Sequence, residues 1–268
     1  MTRLFAIATS NPSLMRCELQ RARGLVTLDD DGLVLGLGAY DDAQLVQRRY
    51  GVGVTRADMW DQPSSETALY VASAPPVGRT QEDVAQPFRM RQWLFAMAGQ
   101  GPSGGSATRD RLAEQLPDFL LRSLRGPSLE EAVFATFLAE LRSLGRTEDP
   151  DLEAPLAAQL LARTAHHVEA ASGHPHRASL ALVATNGRLV VATAHGEAPL
   201  FYRLLEGDGA CARCELSGDE KAATAEVRDH RRRRSVLISN APNKPEGWVT
   251  VAGGRSIAVG RTLQLQTI

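Results

Sequence analysis

Cysteine is scarce in this chain, neither sign of charge predominates, and no apolar run is long. Three cysteines in 268 residues are an odd and small number, which argues against the disulfide framework of a small secreted protein. A net charge of -1 provides no long-range field to attract nucleic acid or an anionic membrane, so neither is expected as a partner. The longest apolar stretches, such as Ala178 to Ala184, fall far below the roughly 20 residues that span a bilayer. The opening run is likewise too short for the apolar region of a secretory signal. A cytoplasmic location is the expectation that remains.

What is present begins almost at the first residue. Leu4, Phe5, Ala6, Ile7 and Ala8 form an uncharged apolar run closed by Ser10-Asn11-Pro12, the pattern of a buried strand that ends in a turn. A chain terminus is usually frayed unless it is tied into a sheet, so residues this close to the start are expected to be held in place. Leu14 to Arg23 reads as a helix ending near Gly24, and Asp29 to Gly32 as a turn. Leu33 to Tyr40 alternates bulky residues with Gly36 and Gly38, which suits a strand packed closely against another layer. A phosphate-binding loop would need a third glycine opening a helix; Asp41-Asp42 follows instead, and no cofactor is expected.

Gln44 to Tyr50, Thr67 to Ala72 and Gln92 to Ala98 are further strands, the last stopped by the glycine-rich loop Gly99 to Gly105. The period then changes. Leu112, Leu116, Phe119, Leu120 and Leu124 recur at intervals of three or four, as in a helix that buries one side. Ser128-Leu-Glu-Glu131 has the form of a capping box at the head of a second helix. A third runs from about Leu152 to Ser172, with one of His166 and His167 expected to be buried and the other exposed. Strands return with Ala178 to Thr185 and Arg188 to Ala194 around Asn186-Gly187, the preferred pair for a two-residue reversal. Leu200 to Leu205, Ser235 to Ser239, Pro245 to Val251, Ser256 to Val259 and Thr262 to Gln266 complete the set. Arg231 to Arg234 reads as a solvated loop neutralised by nearby acids. Strands, helices and strands again in one stretch of this length indicate an α+β fold with segregated layers, here as a single domain over residues 1–268.

Cys211-Ala-Arg-Cys214 has CxxC spacing, but a metal site needs a second pair of ligands. The only visible cluster is His166, His167, His174 and His176. Two ordinary thiols on a loop are expected, and no metal.

The order of these pieces resembles the compact class II glutamine amidotransferases. The opening Met1-Thr-Arg-Leu-Phe-Ala-Ile7 is similar to the start of that family. Gln86-Pro87-Phe88, Phe95-Ala-Met-Ala-Gly99, Gly126 to Glu131 with Phe134, Leu200-Phe-Tyr-Arg203, and Ser239 to Pro242 with Gly247-Trp248 resemble its later motifs in sequence. The resemblance implies a four-layer αββα sandwich of the N-terminal nucleophile hydrolase type. It also implies chemistry that can be checked by position. Where the family has its nucleophilic Cys, this chain has Thr2. Ala98 stands at the position of the oxyanion-binding Asn, leaving only the backbone N–H of the adjacent Gly99. The family's carboxylate-binding Arg falls in a segment aligned with Ala72 to Pro76, and its amine-binding Asp at Leu129; Arg79 is a nearby basic residue. The expectation is a pseudoenzyme whose degenerate pocket lies near Pro75, Ala98 and Leu129, acting as a regulatory or interaction subunit with a protein partner. Two alternatives stand beside it. One is an active hydrolase with Thr2 as nucleophile and its own amine as base, which a retained Met1 would prevent. The other is a module that binds a small molecule in the former glutamine pocket.

Overall fold

The computed structural model describes residues 2–22, 34–41, 44–50, 64–74, 86–100, 105–173, 178–218, 224–240 and 246–268. Strand β1 (Arg3–Thr9) is followed by a 3-10 turn at Pro12–Leu14 and helix α1 (Met15–Ala22). Then come β2 (Val34–Asp41), β3 (Gln44–Tyr50), β4 (Thr67–Ser73), β5 (Phe88–Met90) and β6 (Trp93–Gln100). Four helices follow: α2 (Gly105–Glu114), α3 (Asp118–Leu121), α4 (Leu129–Ser143) and α5 (Ala154–Ser172). The rest is β7 (Ser179–Thr185), β8 (Val190–His195), β9 (Phe201–Glu206), α6 (Ala225–Arg232), β10 (Arg234–Ser239), β11 (Val249–Thr250), β12 (Ser256–Val259) and β13 (Leu265–Thr267).

The strands form two antiparallel sheets. One has seven strands in the order β11-β9-β10-β1-β4-β2-β3, the other six in the order β13-β12-β8-β7-β6-β5. The first strand of the chain thus lies in the middle of its sheet, between β10 and β4, with Phe5 opposite both Ser239 and Tyr70. That placement is why its apolar run is uninterrupted: a central strand covered on both faces has no polar side to present.

Alternation along β1 assigns the layers. Leu4, Ala6 and Ala8 join Leu94, Ala96, Ala98, Ala181 and Val183 in a core between the sheets. Phe5 and Ile7 point the other way, to Met15 and Leu19 of α1. On the far side of the six-stranded sheet, Phe95 and Met97 meet Phe134, Val133 and Leu161 of α4 and α5. Phe95 and Phe134 stack with ring centroids 5.1 Å apart; burying an aromatic or large aliphatic side chain of this kind stabilises the fold by about 1.5–3 kcal/mol. Helix, sheet, sheet and helices make the four-layer αββα sandwich.

Gly36 and Gly38 are explained by the contact between sheets. A Cβ on Gly36 would run into the Gln86 carbonyl, and one on Gly38 into the Leu94 side chain, so bare backbone is what lets β2 approach the second sheet. Tyr40 crosses the same gap: its hydroxyl lies 2.6 Å from the Gln92 carbonyl and 2.8 Å from that of Thr185. Burial pushes its phenol far above the ordinary tyrosine range.

Several expectations are revised. The helical period from Leu112 to Leu124 is broken at Pro117: α2 ends at Glu114, α3 is four residues long, and Phe119 is exposed. Proline cannot donate within a continuing helix. The β7–β8 reversal is wider than two residues, because Thr185 pairs with Val190. Asn186 Oδ1 accepts from the N–H groups of Arg188 and Leu189, so the side chain, not a tight turn, reverses the chain. Ser128 does cap α4, accepting from Glu131 N–H at 3.2 Å, but Glu131 turns its carboxylate to the N–H groups of Arg125 and Gly126 instead of closing the box. Neither His166 nor His167 is buried; the latter sits 3.0 Å from Glu140. The arginine block is no loop: Arg231 and Arg232 finish α6, Arg234 starts β10, and Arg233 is 2% exposed. The Asp29 to Gly32 turn, Gly24, His174 and His176 lie outside the described residues.

Candidate functional site

Thr2 stands half-buried at the head of β1. The strand is pinned there by Asn240, the residue that follows β10. Its Nδ2 donates to the Thr2 carbonyl at 3.0 Å, and its Oδ1 accepts from Leu4 N–H at 2.7 Å. One buried amide, 4% exposed, thereby satisfies both a donor and an acceptor of the backbone beyond the regular ladder, and an unmet buried group of either kind is costly. The N-terminal segment is held in place, as its sequence implied, and the group that holds it lies in the Ser239 to Pro242 segment, whose resemblance to a family motif did not reveal this role.

Gln86 does the same for β6. Its Nε2 donates to the Met97 carbonyl at 2.9 Å and its Oε1 accepts from Met97 N–H at 2.6 Å. Since Phe88 pairs with Phe95, this side chain continues the β5–β6 ladder by imitating a peptide group. It fixes the end of β6 that carries Ala98 and Gly99. Ala98 is 2% exposed and its methyl lies in the layer between the sheets. Gly99 has φ of 119°, and a Cβ there would strike the Ser179 carbonyl. Packing against β7 therefore requires glycine at this position, independent of any role for its N–H.

Leu129, the first residue of α4, belongs to the core between the six-stranded sheet and its helices. Ala98 and Leu129 are thus in different apolar layers, on opposite faces of that sheet. Ala72 is fully buried in β4, opposite Arg3 and Leu35. Pro75, Pro76 and Arg79 lie outside the described residues. The chemistry on offer is correspondingly narrow. Thr2 supplies a hydroxyl of low intrinsic nucleophilicity, Ala98 has no donor for a developing oxyanion, and Leu129 has no charge for an α-amine.

No protein-family model matches the chain, and no curated protein sequence does. Solved structures do. A glutamine aminotransferase class-II domain protein from Silicibacter pomeroyi is similar with a TM-score of 0.60 and 18% identity, over 99% of this chain and 98% of that one. A protein described as a predicted glutamine amidotransferase from Pseudomonas aeruginosa gives 0.56 and 15%, over 98% and 94%. The glutamine phosphoribosylpyrophosphate amidotransferase of B. subtilis gives 0.56 and 10%, over 99% of this chain but 48% of its own length. Among the described residues no helix is long and apolar enough to cross a membrane. With two stacked antiparallel sheets between helical layers and these neighbours, the chain has the fold of the class II glutamine amidotransferase domains, that of the N-terminal nucleophile hydrolases.

Proposed function

We propose that this chain is an amidotransferase-like protein that does not hydrolyse glutamine and works as a regulatory or interaction subunit. The observation that carries the reading is Ala98: an apolar methyl between the sheets where the resemblance places an oxyanion donor. Removing one such donor from a working hydrolase costs about 2.7–4 kcal/mol of transition-state stabilisation. Thr2 in place of a thiol and Leu129 in place of a carboxylate point the same way, since an enzyme that had only exchanged its nucleophile would still need its donor and its substrate clamp. A role in binding is supported by the exposed apolar side chains Phe119, Leu121 and Leu144. Phe119 and Leu138 border a groove of about 380 Å³, with the Arg142 guanidinium 4.2 Å above the Phe119 ring. The test is ammonia release from glutamine by purified protein. The expected result is no release above that of the Thr2→Ala variant; release that this substitution abolishes would overturn the proposal and favour the threonine hydrolase.

A further inference from the structure

Four side chains from three separate parts of the sequence meet beside α1. Cys17 is a buried residue of that helix. Cys211 and Cys214 come from the segment after β9, where Cys211 and Leu216 exchange backbone hydrogen bonds at 2.9 and 3.0 Å and so close a tight loop. His230 comes from α6 and is fully buried. One ligand-type atom from each of the four lies within 4.8 Å of all the others. The chain leaving β9 also packs closely on α6: a Cβ on Gly207 would strike the His230 carbonyl.

The histidine is the informative member. Its Nδ1 sits 2.9 Å from the Glu226 carbonyl, and a carbonyl can only accept, so Nδ1 donates and, in the neutral ring, Nε2 presents a lone pair. That Nε2 is buried with no hydrogen-bond partner among the described residues. An unmet buried acceptor is costly, and a ring nitrogen oriented by a carbonyl on its other side is the usual arrangement of a metal-bound histidine. Sulfur spacing agrees. Cys17 Sγ and Cys214 Sγ are 3.6 Å apart, whereas sulfurs on a tetrahedron with bonds of about 2.3 Å stand about 3.8 Å apart. A disulfide would need about 2.05 Å, and all three cysteines are free. Cys211 also receives backbone N–H groups from Arg213 and Cys214, the donors that favour a thiolate.

We propose that Cys17, Cys211, Cys214 and His230 form a structural zinc site. Three thiols and one imidazole are a soft set that suits zinc, not the hard oxygen-seeking magnesium or calcium. Four protein ligands leave no open position, so the ion holds structure and does not activate water. On binding, the three S–H groups give up their protons to solvent and the imidazole, already unprotonated at Nε2, gives up none. The site would fasten α1, the Cys211 loop and α6 to one another. The second grouping of metal-ligand types, His166, Glu169 and His195, is half open and internally paired through Glu169, 3.3 Å from His195; it gives no comparable reason to bind an ion.

The test uses the full chain, made in zinc-replete medium and purified without a metal-binding tag. Elemental analysis is expected to give one zinc per chain, released in step with titration of three thiols by a mercurial. Reloading with Co(II) is expected to give the intense visible bands and thiolate charge-transfer absorption of a tetrahedral sulfur-rich site. Those bands should be lost in Cys17→Ser and His230→Ala and kept in Thr2→Ala, and chelation should lower Tm. The mercurial titration uses the unaltered chain and so decides independently of whether the ligand variants fold. Folded, reduced protein that carries no zinc and takes up no Co(II), or a Cys211–Cys214 disulfide that zinc does not prevent, would overturn the site.

Discussion

The two outer layers of the sandwich are held by different means. Over the six-stranded sheet lie α4 and α5, of 15 and 19 residues, which bury Phe134, Phe137, Leu138, Leu160 and Leu161 against it. Beside the seven-stranded sheet α1 and α6 have eight residues each. Helices that short are marginal without tertiary support, and here much of the support is polar. Glu18 of α1 is fully buried and Arg233 nearly so, with Oε1 and Nε 2.7 Å apart. The contact is ionic and not a well-aligned hydrogen bond, since both atoms lack hydrogen-bond geometry. The other Glu18 oxygen accepts from Ser235 Oγ at 2.7 Å, and Arg233 donates to the Ala210 carbonyl at 2.9 Å. The pair adjoins the cysteine and histidine cluster along the chain, since Glu18 follows Cys17 and Ala210, whose carbonyl Arg233 holds, precedes Cys211. Where apolar area is short, a fold can be completed by charge pairs and metal ligation, at the cost of depending on each member.

That dependence can be measured. Glu18→Ala leaves the buried Arg233 charge with only the exposed Asp208 carboxylate, 3.7 Å away, as counter-ion among the described residues, and the expected loss is about 3–5 kcal/mol, read by urea denaturation. The double replacement Glu18→Met with Arg233→Met is expected to recover most of it, since apolar pairs of similar volume are often neutral in place of buried ions. A small loss in the single variant would break the contrast between the layers. On the other side, removing one polar group should matter less: Ser128→Ala deletes the cap of α4 and is expected to cost about 1 kcal/mol, with the Tm of the chelated and metal-loaded forms lowered equally. Unequal lowering would mean that the layers are not energetically separate. Smallest is Thr2→Ala, whose half-buried side chain lies just before the first residue of a central strand; its effect on stability is expected to stay within about 0.5 kcal/mol. A larger loss would give the Thr2 hydroxyl a structural role.

Strand positions were legible because an apolar run between turn residues has few other fates. Leu4 to Ala8, Thr67 to Ala72 and Ala178 to Thr185 all became strands. Helices were read with less success where one proline decided: the spacing of Leu112, Leu116 and Leu120 fits a single helix, and Pro117 divides it. At the candidate site the positions were available but their neighbours were not. Ala98 and Leu129 fell into different layers, and the residue that anchors Thr2, Asn240, is 238 positions away in sequence.

The alternation of small and bulky residues by itself determined that this chain would form packed strands, because periodicity and turn chemistry are local; the sandwich was implied by the resemblance that the order of its motifs carries. Only the tertiary structure decided what the two cysteines of the CxxC would meet. Spacing can show ligands that are neighbours along the chain, but Cys17 and His230 reach Cys211 and Cys214 from an early helix and a late one. Their convergence is a consequence of sheet order, with α1 leaving β1 and α6 entering β10, strands that are adjacent in the sheet and far apart in sequence.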